Sequence, residues 1–240
     1  MGKTCSAPES VPGLPDRILN QMAEPIQVIA ENRIFDQYAR RRGTGAPSTI
    51  FPNRGGDGTQ IFRDFESVAG GPLNTAEFIK FLKANNSQVD EVNLALQMSM
   101  AGGGIKNPDW ITHRASKAEF EFYDVKPNSA NGKEKGRGKI LFLIALFGSQ
   151  RPPLQYIPGL LYFPQDEEEV LWVETKGFME TEITLRWFRL EPGLIVYEVC
   201  IDSKLREPAP QKAKNAVDAA AMLLMMLILS ALEAGPALAM

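Results

Sequence analysis

A chain of 240 residues with 44% hydrophobic and 23% charged side chains can build one large globular domain, with or without appendages. Its net charge of −3 excludes wholesale electrostatic attraction to nucleic acid, although local basic stretches remain. The two cysteines, Cys5 and Cys200, make neither a metal-ligand spacing nor a disulfide framework, so two free thiols in a reducing compartment are expected.

The N-terminal sequence leads from Met1-Gly2-Lys3-Thr4-Cys5 into a proline-rich stretch rather than an apolar run, and no secretory signal is read. Residues 1–73 form a Pro- and Gly-rich extension that admits only short elements, with one helix from about Pro25 to Arg41 carrying Ile26, Ile29, Ile34 and Tyr38. Arg40, Arg41 and Arg42 close that helix, either complementing its dipole or forming a phosphate-binding patch. Beyond Gly71, Asn74 or Thr75 caps a helix with Phe78, Ile79, Phe81 and Leu82. Ser87-Gln88-Val89-Asp90 has capping-box spacing ahead of a second helix over about 88–100, which the triple glycine 102–104 stops.

Strands follow. One short strand lies within 105–112, and Glu119 to Lys126 alternates so that Phe120, Phe122, Asp124 and Lys126 share one face. The other face, with Glu119 and Glu121, is expected to be the solvated one. Residues 129–139 read as a basic loop carrying Lys133, Lys135, Arg137 and Lys139, which contacts phosphates or is simply solvated. A helix is expected from near Gly138 through the apolar run ending at Phe147. The β-rich stretch 154–201 contains strands at Leu160–Phe163, Val170–Val173, Thr181–Leu190 and Gly193–Ile201, with Pro192-Gly193 turning a hairpin between the last two. After a charged linker, Ala219 to Leu232 is uncharged and apolar all round. At about 1.5 Å per residue it spans roughly 21 Å, short of the roughly 30 Å of a bilayer core. It is read as a buried or partner-docked helix, with membrane insertion as the alternative.

Pro108-Asp109 followed by Asp124-Val125-Lys126 resembles the signature of the PD-(D/E)xK nucleases, the restriction-endonuclease-like superfamily, with the VRR-NUC-like and bacterial-toxin branches favoured. The resemblance covers about residues 75–165 and implies an α/β fold with an αβββαβ core, here with a β-rich extension and the C-terminal apolar helix. The implied domains are the extension 1–73, a nuclease-like domain 74–205, and a linker with apolar helix 206–240. It implies that Asp109 and Asp124 hold Mg²⁺ or Mn²⁺ with the Val125 carbonyl, that Lys126 supports the attacking water or the charged phosphate, and that a helix supplies a further acid. Glu91 is the candidate for that acid, with Asp90 the alternative. The implied substrate is DNA and the implied partner an inhibitory immunity protein, in the cytoplasm or in a target cell reached without a signal peptide. A non-catalytic binding module of the same fold, or a membrane-active protein working through residues 219–232, are the rivals. His113 and Trp110 are assigned structural roles.

Overall fold

The computed structural model describes residues 3–8, 26–42, 59–64, 75–100, 107–176 and 179–205. Its strands are β1 (Thr4–Ser6), β2 (Gln60–Arg63), β3 (Trp110–Arg114), β4 (Glu119–Pro127), β5 (Ile157–Pro158), β6 (Glu167–Lys176), β7 (Met179–Glu191) and β8 (Leu194–Leu205). The helices are α1 (Ile26–Arg42), α2 (Thr75–Asn85), α3 (Glu91–Met100) and α4 (Ala130–Gly148). One mixed sheet runs in the order β2-β3-β4-β8-β7-β6, with β1 beside β8 and β5 beside β4.

Both faces of this sheet are covered. On one, α1 packs Ile34, Phe35 and Tyr38 against Trp110, Tyr123, Val125 and Tyr197. On the other, Phe78 and Phe81 of α2, Leu94 and Met98 of α3, and Leu143 and Phe147 of α4 cover Phe62, Ile111, Phe122 and Val196. Three layers result, helix on sheet on helix. The elements β1, α1 and β2 of the expected N-terminal extension are therefore part of the sheet and its cores.

Two-sided cover corrects the expected solvated face of β4. Glu121 is buried, accepting from the Tyr123 hydroxyl at 2.7 Å and from the Leu160 and Leu161 amides at 2.9 and 3.1 Å. Glu119 is half-buried and paired with Arg42 and Arg114. Alternation of polar and apolar residues identifies a strand, but it does not show that a second helix covers the polar side.

Three further expectations are corrected. The basic segment 129–139 is not a loop: α4 begins at Ala130, capped by the Ser129 side chain, which accepts from the Gly132 amide at 3.0 Å. Leu160–Phe163 is irregular, and the strand in this region is the two-residue β5. The cysteines are not free, because β1 lies antiparallel to β8 with Cys5 opposite Cys200, Cα atoms 4.0 Å apart and disulfide-bonded. That partnership arises from tertiary pairing across 195 positions, which no local spacing reveals. The hairpin at Pro192-Gly193 is present, with Gly193 at φ +73°, a conformation that favours glycine. Strand β8 runs to Leu205, taking in the first residues of the charged linker expected over 202–214, and the apolar segment 219–232 lies outside the described residues. No described helix is long and apolar enough to cross a membrane.

Candidate active site

The site is made where β3 ends and β4 continues. Strand β3 pairs with β4 only from Arg114 opposite Glu119 to Trp110 opposite Tyr123. On its other edge, β4 pairs with β8 from Asp124 to Pro127. Val125 therefore turns its N–H and C=O toward an edge that β3 has left. Buried backbone groups need partners, and side chains provide them. Asp109, whose own amide donates to the Tyr123 carbonyl, accepts the Val125 N–H on Oδ2 at 2.6 Å. Lys126 Nζ donates to the Val125 carbonyl at 2.9 Å.

The two carboxylates and two lysines interlock around this opening. Lys126 Nζ lies 3.0 Å from Asp124 Oδ1 and 3.7 Å from Asp109 Oδ2. Lys139, from α4, lies 2.6 Å from Asp124 Oδ1 and 2.8 Å from Asp109 Oδ1. Asp124 is 0% exposed, and its Oδ2 has no hydrogen-bond partner among the described residues. A buried carboxylate oxygen without a donor or cation is costly. Helix α4 can approach this closely because Gly136 faces the strand: a Cβ there would lie 2.5 Å from Leu194 Cδ1 and 3.2 Å from Lys126 Cγ.

Electrostatics divide the two acids. Burial pushes the Asp109 carboxyl up, but Lys126, Lys139 and the Val125 amide outweigh it and hold it far below the ordinary range. Asp124 is pushed up to about 6, first by burial and then by the Asp109 charge, against the pull of both lysines. Asp109 is the permanently charged member and Asp124 the one that titrates. Burial alone lowers the lysines, yet the two carboxylates raise Lys126 and Lys139 above the usual lysine value, so both remain ammonium ions.

No protein-family model, curated protein or solved structure matches this chain.

Period-two spacing predicts Asp124 beside Lys126, and the resemblance adds Asp109 and Val125; the structure brings all four together. It does not bring Glu91, which is exposed in the first turn of α3 and whose charge acts on Lys80 of α2. Asp90 caps α3, accepting from the Val92 and Asn93 amides at 3.0 and 3.1 Å. The helical acid that approaches the cluster is Glu31 of α1, 7% exposed, whose charge reaches both Lys126 and Arg63. Arg63, on which the Asp109 charge also acts, is hydrogen-bonded to Asn32 and lies 4.6 Å from the Phe35 ring centroid.

Sequence reasoning assigned Lys139 to phosphate contact, whereas it is buried between the two acids. Its signal was the spacing of Gly132, Gly136, Lys139, Ile140, Leu143 and Phe147, the buried stripe of α4. Lys133 is half-buried, Lys135 is exposed, and Arg137 is exposed but paired with Glu191 at 3.1 Å. Trp110 is core, stacked on Tyr123 at 5.0 Å between ring centroids.

Proposed function

We propose that this chain is a metal-dependent phosphodiester hydrolase with a restriction-endonuclease-like core, a nuclease acting on DNA. The observation that carries this reading is the convergence of Asp109, Asp124, the Val125 carbonyl and Lys126 at the open end of β4, with Asp124 Oδ2 buried and unpartnered among the described residues. The element order supports it: α1, β2, β3, β4, α4 and β5 follow an αβββαβ sequence, with α2 and α3 inserted between β2 and β3.

The donor set fits Mg²⁺ or Mn²⁺. It consists of two carboxylates and a backbone carbonyl, all hard oxygens, and Asp124 presents a free acceptor. A bound cation would supply a polarised phosphate oxygen and a water of lowered pKa. The chain's own groups do the rest. Asp109, locked by the Val125 amide and Lys139, fixes the geometry of the site. Lys126 remains charged, so it stabilises negative charge developing on the phosphate rather than serving as a general base. Lys133 and Lys135, on the first two turns of α4, would meet flanking phosphates. The biological setting that goes with this reading, from the resemblance alone, is a delivered bacterial effector restrained by an inhibitor protein.

The test is plasmid cleavage by the full-length protein in Mg²⁺ or Mn²⁺. Asp109→Asn and Lys126→Ala are each expected to lose activity by about a hundredfold or more, with circular dichroism unchanged. Equal cleavage by both variants, or cleavage that survives chelation, would sink the assignment.

Lys139 favours one other reading. By pairing with both acids it helps neutralise the cluster without a metal, as a non-catalytic binding or assembly module requires. Mg²⁺ titration separates the two, because the hydrolase predicts weak binding that Asp124→Asn removes, and the module predicts none.

A further inference from the structure

A second site lies toward the opposite end of β4. A cavity of about 350 Å³ opens beside Phe120, floored by the rings of Phe120, His113 and Tyr156. These rings pack closely, with His113 and Phe120 centroids 4.8 Å apart and Phe120 and Tyr156 edge-to-face at 6.1 Å. Pro152 adds a flat apolar wall, while Gln88 and Gln155, both exposed, bring side-chain amides to the rim.

Hydrogen bonding fixes the imidazole. Asn86 Nδ2 donates to the Tyr156 hydroxyl at 3.2 Å, and that hydroxyl lies 2.9 Å from His113 Nδ1. Whichever of the two donates, this contact occupies Nδ1 and leaves Nε2 as the ring nitrogen for a ligand. Burial lowers the His113 pKa, in keeping with a neutral ring. The cavity thus offers an imidazole held in place through Nδ1, amides that both donate and accept, and aromatic surfaces. Among the described residues, none of its lining side chains is an acid, lysine or arginine. Such a lining repels nothing neutral but gives an anion no cation to pair with.

We propose that this cavity binds an uncharged nucleobase, stacked on the aromatic floor and read along its edge by His113 and the two glutamines. Flat heteroaromatic bases carry mixed donors and acceptors on their edges and π-faces above and below, the complement of this lining. The base arrives either as a free nucleoside or as one unit of a strand. Phe120 and Asp124 are four residues apart on β4, about 13 Å, within reach of a single bound strand. The proposal does not rest on hydrolysis at the carboxylate cluster.

The experiment is metal-free titration of the full-length protein, followed by saturation-transfer NMR, with each of the common nucleosides, a short single-stranded oligonucleotide, and glucose as a polar non-aromatic control. At least one nucleoside is expected to bind at about 1 mM or tighter, about tenfold more weakly to Gln155→Ala and to His113→Phe. Binding of the oligonucleotide alone, weakened by the same variants, assigns the base to a strand and also supports the site. No binding of either, preference for glucose, or binding unchanged in both folded variants overturns it. Loss of plasmid cleavage has no bearing on these readouts, so the two readings fail separately.

Discussion

Replacing Lys139 with methionine removes one cation from between two buried carboxylates while preserving much of the side chain's bulk. The lysine sits 2.6 Å from Asp124 and 2.8 Å from Asp109, in a cluster where Asp124 is wholly buried. Breaking such a pair leaves uncompensated charge, which costs about 3–5 kcal/mol. For a protein of this size that corresponds to a fall in melting temperature on the order of 10 °C. Thermal and urea unfolding in chelator measure it. Mg²⁺ should then return more stability to Lys139→Met than to the unsubstituted protein, since no ammonium competes for the carboxylates. At a hundredfold excess over Kd, binding to the native state contributes about 2.7 kcal/mol. A loss below about 1 kcal/mol would show that the ion pairs are solvated and would refute the reasoning. Equal, absent stabilisation by Mg²⁺ in both proteins would refute its metal arm.

Asp124 predicts a pH dependence of stability. Its folded pKa of about 6 lies above the ordinary 3.8, so the folded state holds more protons in that window and stability falls as pH rises from about 4 to 6. The fall is on the order of 3 kcal/mol for this group, and Asp124→Asn should flatten it in urea titrations across the window. Asp109, held low, acts with opposite sign and only at more acidic pH. Cys5→Ser opens a cross-link between residues 195 apart and should cost about 2–5 kcal/mol by chemical denaturation, an effect that reductant reproduces in the unsubstituted protein. Glu31→Gln should weaken cleavage at least tenfold, as the helical acid whose charge acts on Lys126, whereas Glu91→Gln should leave it unchanged; the reverse order would return the role to α3.

The sequence made the strand pair of the site legible and little of what surrounds it. Period-two geometry put Asp124 and Lys126 on one face of β4, and their charged atoms meet at 3.0 Å. Asp109 joins them because its strand ends short of β4's, a register fact that spacing alone does not contain. Lys139 was hidden by composition: glycine and lysine in 129–139 read as loop, yet the Ser129 cap and the packing of Gly132 and Gly136 make it helix. Glu91 follows from the resemblance, which implies an acid on the helix ahead of the strands, but α2 and α3 are inserted between β2 and β3 and the acid that acts on Lys126 comes from α1. The Cys5–Cys200 bond and the burial of Glu121 have the same origin, since both come from which distant elements pack together.

The central claim is that Asp109 and Asp124 together hold a divalent cation. A crystal soaked in Mn²⁺ and measured at the manganese edge tests it directly. An anomalous peak within about 2.3 Å of a carboxylate oxygen of each aspartate, with Lys139 displaced from Asp124, is the predicted result. Absence of a peak at saturating Mn²⁺, with both lysines still clamped on the two acids, would contradict the account.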